Sequence, residues 1–325
     1  MSTLITPRRL LLGAALTLPS LRASAQSYPN RPVRLILGYP PGGSNDASAR
    51  VIQPRLQELL GQPVVIENRT GANGTLATEY VARSAPDGHT LFLGSSSPLV
   101  IAPYTSPNIS YDTARDFAAL GGIAATPSVL AVGPALPVRT FDEFVAAARQ
   151  RQINLASSGA GGLGHLAIEV LRRDVSQNIT HVPYRGGAPA TTDTVSGNVH
   201  GIVVDLAAIQ GHLRDGRMRA IAVMSERRSS MLPDVTTFSE AGMPGVVAVN
   251  WIGVMAPVRT PDAILDQLQT AILQASTGQD VRDRFTQIGM EPFTHPSRAA
   301  AQAFITSELE RWSTVARATG ARADG

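Results

Sequence analysis

Three loops rich in glycine or serine each follow an apolar strand pattern and precede a helical pattern. The first is Tyr39–Asp46, with the sequence Tyr-Pro-Pro-Gly-Gly-Ser-Asn-Asp. Glycine lets the backbone approach a ligand closely, and the free N–H groups at a helix start bind anions without a basic side chain. The loop therefore predicts an anion site. The alternative is a tight turn in which Asp46 caps the following helix.

The second loop, Ser157–His165, contains a formal GxGxxG pattern at Gly159, Gly161 and Gly164. A dinucleotide site also requires an acidic residue at the end of the next strand, about 20 residues further on. That strand instead ends with Val-Pro-Tyr-Arg at residues 182–185, which argues against a nucleotide. A backbone cradle for a small carboxylate uses the same N–H groups and needs no acidic residue.

The third loop, Gly94–Pro98, carries three consecutive serines, which predict either ligand contacts or a capped turn. Asp205 follows the strand pattern Gly201–Val204, at the strand end where open α/β sheets bind ligands. Its carboxylate could receive a ligand ammonium or hydroxyl group, or it could cap the next helix. Tyr184 and Arg185 either line the same cleft or begin a loop.

The composition excludes several kinds of reactive site. All 28 basic residues are arginines, so the chain has neither a P-loop lysine nor a Schiff-base lysine. It has no cysteine, which excludes disulfides, thiolate metal sites and a cysteine nucleophile. The sequence contains no GxSxG, HExxH or SxxK motif, and its six histidines lack metal-ligand spacing. We therefore expect no catalytic residue, no metal and no cofactor.

Strand and helix patterns alternate along the chain, and 43% of the residues are hydrophobic. Short apolar runs predict strands at 33–38, 64–66, 90–93, 128–132, 154–157, 180–182, 201–204 and 219–223, with helices at 47–60, 76–84, 141–151 and 163–173. Strands and helices that alternate with short connections predict parallel βαβ units. The C-terminal third is mainly helical. Pro54 inside the first helical pattern predicts a kink or a new helix start.

Residues 1–25 differ in charge from the rest of the chain. They contain three arginines and no acidic residue, which accounts for the formal net charge of +3. The neutral remainder offers no electrostatic footprint for nucleic acid. The pair Arg8-Arg9, the apolar run Leu10–Leu18 and a small-residue end predict a signal peptide cleaved after Ala25. We expect a periplasmic protein, and the arginine pair also permits the twin-arginine export route.

Several sequence landmarks follow one another in an order typical of one family. They are Tyr28–Pro32, the PxGGxxDxxAR loop from Pro40 to Arg50, Gly61–Arg69, Gly71–Gly74, Ala85–Leu91, His165-Leu166, His181–Gly187, Glu240–Gly245 and Ala256-Pro257. From about Tyr28 to Gly320, the chain therefore resembles the extracytoplasmic solute-binding receptors of the tripartite tricarboxylate transporter family, also called Bug receptors.

The resemblance implies an α/β, two-lobed fold of the type II periplasmic binding proteins. Each lobe is expected to be a mainly parallel sheet flanked by helices, with the ligand cleft between the lobes. Residues 26–125 and 255–325 would form one lobe and residues 126–254 the other. Ligands of this family are small carboxylates, including di- and tricarboxylates, aromatic acids, some amino acids and nicotinate-type compounds.

The resemblance also implies which positions contact the ligand, since the family holds a carboxylate with the first two loops and ordered waters. The positions that match are Tyr39, Pro41, Gly42, Gly43, Ser44, Asn45, Asp46, Ser158, Gly159, Gly161, Gly162 and Asp205. The residue patterns described above add Ser95, Ser96 and Tyr184 to the expected ligand contacts. Gly162 stands where the family commonly has serine or threonine, so one hydroxyl donor to the carboxylate is missing. The neighbouring serines at 95–97 or a water would have to compensate.

The sequence therefore predicts a periplasmic receptor that captures a small organic carboxylate. Hinge closure would present the ligand to the membrane permease subunits of a tripartite tricarboxylate transporter. We expect a monomer. One alternative is a ligand sensor that signals to a membrane histidine kinase without transport. A second alternative, a secreted hydrolase, is disfavoured by the absence of a nucleophile motif.

Overall fold

The computed structural model describes residues 28–244, 247–320 and 322, and the predicted signal peptide at residues 1–25 lies outside this part. The strands are β1 (Val33–Leu37), β2 (Val64–Asn68), β3 (Thr90–Ser95), β4 (Phe117–Val132), β5 (Ile153–Ser157), β6 (Ile179–Pro183), β7 (Gly201–Asp205), β8 (Arg219–Val223), β9 (Val249–Pro257) and β10 (Glu291–Pro292). The helices are α1 (Ser44–Leu60), α2 (Thr75–Ala82), α3 (Ala102–Thr105), α4 (Thr113–Asp116), α5 (Phe141–Gln150), α6 (Leu163–Asp174), α7 (Gly187–Val195), α8 (Leu206–Arg214), α9 (Asp262–Thr277), α10 (Gln279–Gln287) and α11 (Arg298–Thr319).

The strands form one curled sheet, and its two halves, here called half-sheets, have similar strand arrangements. In the first half-sheet, β2, β1 and β3 run parallel, and β9 joins β3 in the antiparallel direction. In the second half-sheet, β6, β5 and β7 run parallel, and β4 joins β7 in the antiparallel direction. The near-continuous apolar runs of the parallel strands suit burial by helices on both faces.

The long strand β4 connects the two half-sheets. Its first part pairs with β9 from Phe117↔Pro257 to Pro127↔Val249, and its last part pairs with β7 and β8. The α/β, two-lobed fold class is thus confirmed, with three parallel strands in the outer part of each half-sheet and antiparallel strands where the two half-sheets meet. The exact division into residues 26–125 with 255–325 and 126–254 stays a prediction.

The helices bury the faces that their apolar spacing predicts. In α6, the side chains of Leu163, Leu166 and Leu171 are buried, as the i, i+3, i+8 spacing indicates. Helix α1 continues through Pro54 without a new start. Pro54 and Arg50 are both exposed, so water can bind the carbonyl of Arg50 that the proline leaves without an amide partner.

The last helix, α11, is capped by Ser297, whose hydroxyl accepts a hydrogen bond from the amide of Ala300 at 3.2 Å. Its buried Glu308 accepts hydrogen bonds from the indole nitrogens of Trp251 at 2.9 Å and Trp312 at 3.1 Å. This contact ties α11 to the crossing strand β9. Within the described residues, no helix is both long and apolar enough to cross a bilayer.

Candidate functional site

A small cavity lies between the loops of the two half-sheets. We call it the inner cavity; its volume is about 30 Å³, which suffices for about two water molecules. Its lining consists of Tyr39, Pro40, Gly43, Ser44, Asn45, Ser95, Ser97, Ser128, Ser158, Leu163, Gly164, Gly187, Val203, Val204, Asp205, Ala208 and Asn250. Hydroxyls, amides and helix starts dominate this lining, and the described residues that form it include no arginine.

Four helices point their N-termini toward the inner cavity. They are α1, α6, α7 and α8, whose first residues or N-caps (Gly43, Leu163, Gly187 and Asp205) all belong to its lining. None of these four helices has a side-chain hydrogen bond at its N-cap. The first backbone N–H groups of a helix have no partner inside the helix, and its dipole is positive there. The arrangement therefore attracts an anion without a basic side chain.

The first glycine loop is held in place by Asp46, which is buried at 4% exposure. The Asp46 carboxylate accepts a hydrogen bond from the amide of Gly42 at 3.1 Å and pairs with Arg50 at 2.9 Å. Gly42 adopts a φ of +88°, which favours glycine. Asp46 therefore positions the loop from behind, while Ser44 and Asn45 face the cavity.

Asn45 carries a free donor at this site. Its side chain is 3% exposed, and its Nδ2 atom has no hydrogen-bond partner among the described residues. A buried, unpaired N–H donor costs about 1–3 kcal/mol, so the site gains stability from an acceptor that enters the cavity. Together with the helix N-termini, this amide makes the cavity suited to a carboxylate.

The second glycine loop is supported by two histidines that stack on each other. The rings of His165 and His181 lie 4.0 Å apart and nearly parallel. The amide of Gly161 donates to Nδ1 of His165 at 2.9 Å, and Ser157 Oγ lies 2.6 Å from Nε2 of His181. Burial lowers the pKa of His165, and burial together with His165 lowers the pKa of His181 to about 3. Both rings are therefore neutral at pH 7.

This support also fixes which backbone amides of the second loop are available. The amide of Gly159 donates to Ser157 Oγ at 3.3 Å, and that of Gly161 is bound to His165. The amide of Leu163 donates to Ser97 Oγ at 3.1 Å across the cleft. These three amides are therefore engaged within the protein, whereas the amide of Gly164, in the first turn of α6, has no partner inside the helix and remains for a ligand.

Asp205 provides a carboxyl group on the inner-cavity lining. Its Oδ2 atom accepts hydrogen bonds from Ser44 Oγ at 2.5 Å and from Asn250 Nδ2 at 2.7 Å. Burial raises the pKa of Asp205, and these two hydrogen bonds oppose the rise. Asn250 is held in turn by Ser96, whose hydroxyl donates to Asn250 Oδ1 at 2.6 Å. This carboxylate can accept a hydrogen bond from a ligand hydroxyl or ammonium group.

The loops of the two half-sheets touch directly across the cleft. Besides the contact from Ser44 to Asp205, Thr105 Oγ1 donates to the carbonyl of Gly161 at 2.7 Å. The inner cavity is thus closed on several sides. A ligand larger than a few atoms can enter only if these contacts separate.

A second space adjoins the inner cavity on its outer side. This outer pocket has a volume of about 280 Å³ and is lined by Gly38, Tyr39, Gly71, Ala72, Asn73, Gly74, Ser106, Ser158, Gly159, Ala160, Pro183, Tyr184 and Arg185. Tyr39 and Ser158 line both spaces. Arg185, which the sequence places either in the cleft or at the start of a loop, is exposed here and lies outside the inner-cavity lining.

The predicted site residues fall into three groups. Tyr39, Gly43, Ser44, Asn45, Ser95, Ser158 and Asp205 line the inner cavity. Gly159 and Tyr184 line the outer pocket. Pro41, Gly42, Asp46, Ser96, Gly161 and Gly162 line neither space. Of these, Asp46 and Ser96 position their neighbours through hydrogen bonds.

Sequence reasoning missed Ser128 and Asn250 in the inner cavity and Asn73 in the outer pocket. Asn250 lies on β9, whose pattern was not recognised as a strand, and the role of Asn73 depends on residues distant in sequence. Among the described residues, no group of three or more His, Asp or Glu side chains could hold a metal ion.

Comparison with known proteins identifies one family of receptors. A family model described as "Tripartite tricarboxylate transporter family receptor" matches residues 48–321. The protein BugT of Bordetella pertussis is 37% identical over 303 residues, which is 92% of each chain.

Two similar solved structures were determined with ligands. The R. palustris protein Rpa4515, solved with adipate, has a TM-score of 0.86 and 34% identity, covering 91% of this chain and 99% of its own. MatC from Rhodopseudomonas palustris, solved with bound malate, has a TM-score of 0.82 and 31% identity, covering 89% of this chain and 99% of its own.

Proposed function

We propose that this chain, which belongs to the tripartite tricarboxylate transporter receptor family, binds a small carboxylate in the inner cavity. The observation that carries this proposal is the convergence of four helix N-termini on a cavity that also holds the unpaired amide of Asn45. Malate and adipate, the ligands of two solved relatives, are carboxylates of the expected class.

The site selects for charge through backbone dipoles and neutral donors. Helix N-termini each contribute roughly 0.3–1 kcal/mol toward an anion at the surface and more when partly buried. A hard, fully charged phosphate usually receives arginine or lysine in addition. The lining offers hydroxyls and amides instead, which favours one or two carboxylates.

Ligand entry requires the two lobes to separate, because Ser44, Thr105 and Ser97 each contact residues of the opposite half-sheet. The bound carboxylate would add hydrogen bonds that only the closed form can make. Binding would therefore shift the population toward closure. The closed receptor would then deliver its ligand to the permease subunits of a tripartite tricarboxylate transporter.

The remaining parts of the proposal concern location and chemistry. Residues 1–25 would direct export to the periplasm, where the cleaved protein would act. The receptor would perform no reaction. The inner cavity has Ser44 beside Asp205, but the Ser44 hydroxyl donates to a carboxylate with no histidine between them, unlike a hydrolase triad.

A thermal-shift screen of residues 26–325 tests this function. The screen compares small carboxylates, such as malate and adipate, with neutral sugars and with cationic amines. A ligand at 100 times its Kd stabilises the folded protein by about 2.7 kcal/mol. We expect stabilisation by at least one carboxylate. Stabilisation by sugars or amines alone would overturn the proposal.

A further inference from the structure

Asn73 lies in a turn that forces its side chain toward the opposite half-sheet. Residues 71–74 all have positive φ, with values of 140° for Gly71, 45° for Ala72, 52° for Asn73 and 90° for Gly74. Asparagine tolerates this left-handed region better than most residues. Such strained turns persist where the surrounding structure holds them, and they concentrate at functional sites.

Tyr39 holds one end of the Asn73 side chain. The Tyr39 hydroxyl lies 2.9 Å from Asn73 Oδ1 and 3.0 Å from the Asn73 carbonyl oxygen, and it donates to this pair of acceptors. Tyr39 lines both the inner cavity and the outer pocket. The amide of Asn73 is therefore anchored at the border between the two spaces.

The other end of the Asn73 side chain fills the space left by two glycines of the second loop. A Cβ atom at Gly162 would lie 2.2 Å from Asn73 Nδ2, and a Cβ atom at Gly159 would lie 2.9 Å from Asn73 Oδ1. Gly162 has an extended backbone that any residue can adopt, so only this contact requires a glycine there. Asn73 and Gly162 thus fit each other across the cleft.

The Nδ2 atom of Asn73 is buried and has no hydrogen-bond partner among the described residues. It lies beside Gly162, the N-cap of α6, and the first two residues of α6, Leu163 and Gly164, line the inner cavity. A buried donor without a partner is costly, and a ligand oxygen at the start of α6 would pair with it. Asn45 presents a similar unpaired Nδ2 from the first half-sheet.

We propose that Asn73 determines ligand specificity by donating a hydrogen bond from Nδ2 to the ligand carboxylate, and that Gly162 is glycine to admit this amide. The proposal rests on the carboxylate-binding function above. In this arrangement Asn73 supplies a donor at the α6 N-terminus from the opposite lobe. The ligand is then held from both lobes, which favours the closed form.

The first test measures the Kd values of malate and adipate by titration calorimetry for the wild type, Asn73→Gly and Asn73→Asp. Glycine tolerates the backbone of this turn but removes the donor, so Kd should rise about ten- to a hundredfold. Aspartate keeps the shape but replaces the donor with a negative acceptor, so Kd should rise further. A Kd unchanged in Asn73→Gly would overturn the proposal, while wild-type binding would leave the proposed function standing.

The second test is a double-mutant cycle with Gly162→Ser. In the wild-type background the added side chain should clash with Asn73 and raise Kd about tenfold or more. In Asn73→Gly the space is free, so the same substitution should change Kd by less than about threefold. Equal effects in both backgrounds would overturn the pairing. Gly211→Ser, at a position with no atom within 4 Å of an added Cβ, is the matched control.

An NMR measurement reports the hydrogen bond itself. The side-chain amide signal of Asn73 is assigned by its absence in Asn73→Gly, and malate is then added to the wild type. We expect this signal to shift with the same Kd as the calorimetric titration. An unshifted Asn73 signal in a protein that binds malate would show that Asn73 only fills space. If neither malate nor any other carboxylate binds the wild type, the proposed function fails and this proposal fails with it.

Discussion

The substitution Asp205→Asn distinguishes two classes of ligand at the inner cavity. Asp205 lies in the lining, where Ser44 and Asn250 donate hydrogen bonds to its Oδ2 atom. Asparagine has nearly the same shape and keeps an acceptor oxygen, but it carries no charge. A dicarboxylate whose second group faces Asp205 should bind the variant more tightly. An amino acid whose ammonium pairs with Asp205 should bind it more weakly.

The change in Kd is estimated from the Coulomb energy between Asp205 and a charged group of the ligand. Two unit charges about 5 Å apart interact by about 3 kcal/mol at an effective dielectric constant of about 20. That energy corresponds to a change in Kd of about a hundredfold, which is an upper bound for a ligand that only partly faces Asp205. The lost charge on Asp205 also weakens its two hydrogen bonds, which offsets part of the gain for a dicarboxylate.

The pH dependence of ligand binding shows independently whether the Asp205 charge weakens or strengthens binding. Burial raises the pKa of Asp205, so its charge is lost at a higher pH than that of an ordinary aspartate. As pH falls through this raised pKa, the wild type should bind adipate more tightly and approach the affinity of Asp205→Asn. The variant should show a flatter dependence over the same pH range.

Titration calorimetry with adipate and aspartate, over a series of descending pH values, measures these effects. Asp234→Asn is the control, because Asp234 is exposed and lies outside the inner cavity. If Asp205→Asn bound both ligands with unchanged Kd, the carboxylate would not face the ligand. If the variant bound adipate more weakly than the wild type at every pH of the series, the repulsion argument would be wrong.

Three further predictions concern the parts that support the site. His181 has a pKa of about 3 against an ordinary 6.5, so its contribution to stability, about 5 kcal/mol at most, is complete above pH 6.5 and lost as pH falls toward 3. Urea melts of His181→Gln should therefore show a smaller loss of stability in acid, and an unchanged loss would contradict the shift. Glu308→Ala should lower the free energy of unfolding by about 3 kcal/mol because it leaves two buried indole donors unpaired, while ligand Kd stays unchanged. Gly164→Ala should destabilise the protein by about 1–3 kcal/mol, because the added Cβ would lie 2.6 Å from the carbonyl oxygen of Val203. Gly211→Ala, in open space on a helix, should stabilise it by about 1 kcal/mol. Equal melting temperatures for the two alanine variants would refute the packing argument.

The parallel strands and the amphipathic helices were predictable because their patterns are local. Val33–Leu37 and Gly201–Val204 are mainly apolar runs bounded by turns, and α6 buries the leucines at its helical spacing. The first two-thirds of β4 were not predicted, since alanine and glycine dominate residues 118–125 and have little strand preference. Pairing with β9 decides their conformation, and only the folded chain provides it.

The residues of the candidate site also fall into those that the local sequence predicts and those that it does not. The loops at the starts of α1 and α6 were recognisable because glycine and serine between a strand and a helix have a direct physical meaning. Asn250 was missed with its strand. The fit of Asn73 to Gly162 could not be read from the sequence, because the two residues come together only when the half-sheets face each other.

A crystal structure of the protein with a bound carboxylate tests the central claim most directly. We predict carboxylate oxygens within hydrogen-bond distance of the backbone amides at the starts of α1 and α6 and of the Asn45 side chain. No arginine should contact the ligand there. A carboxylate bound to Arg185 in the outer pocket, or bound outside the cleft, would contradict the account.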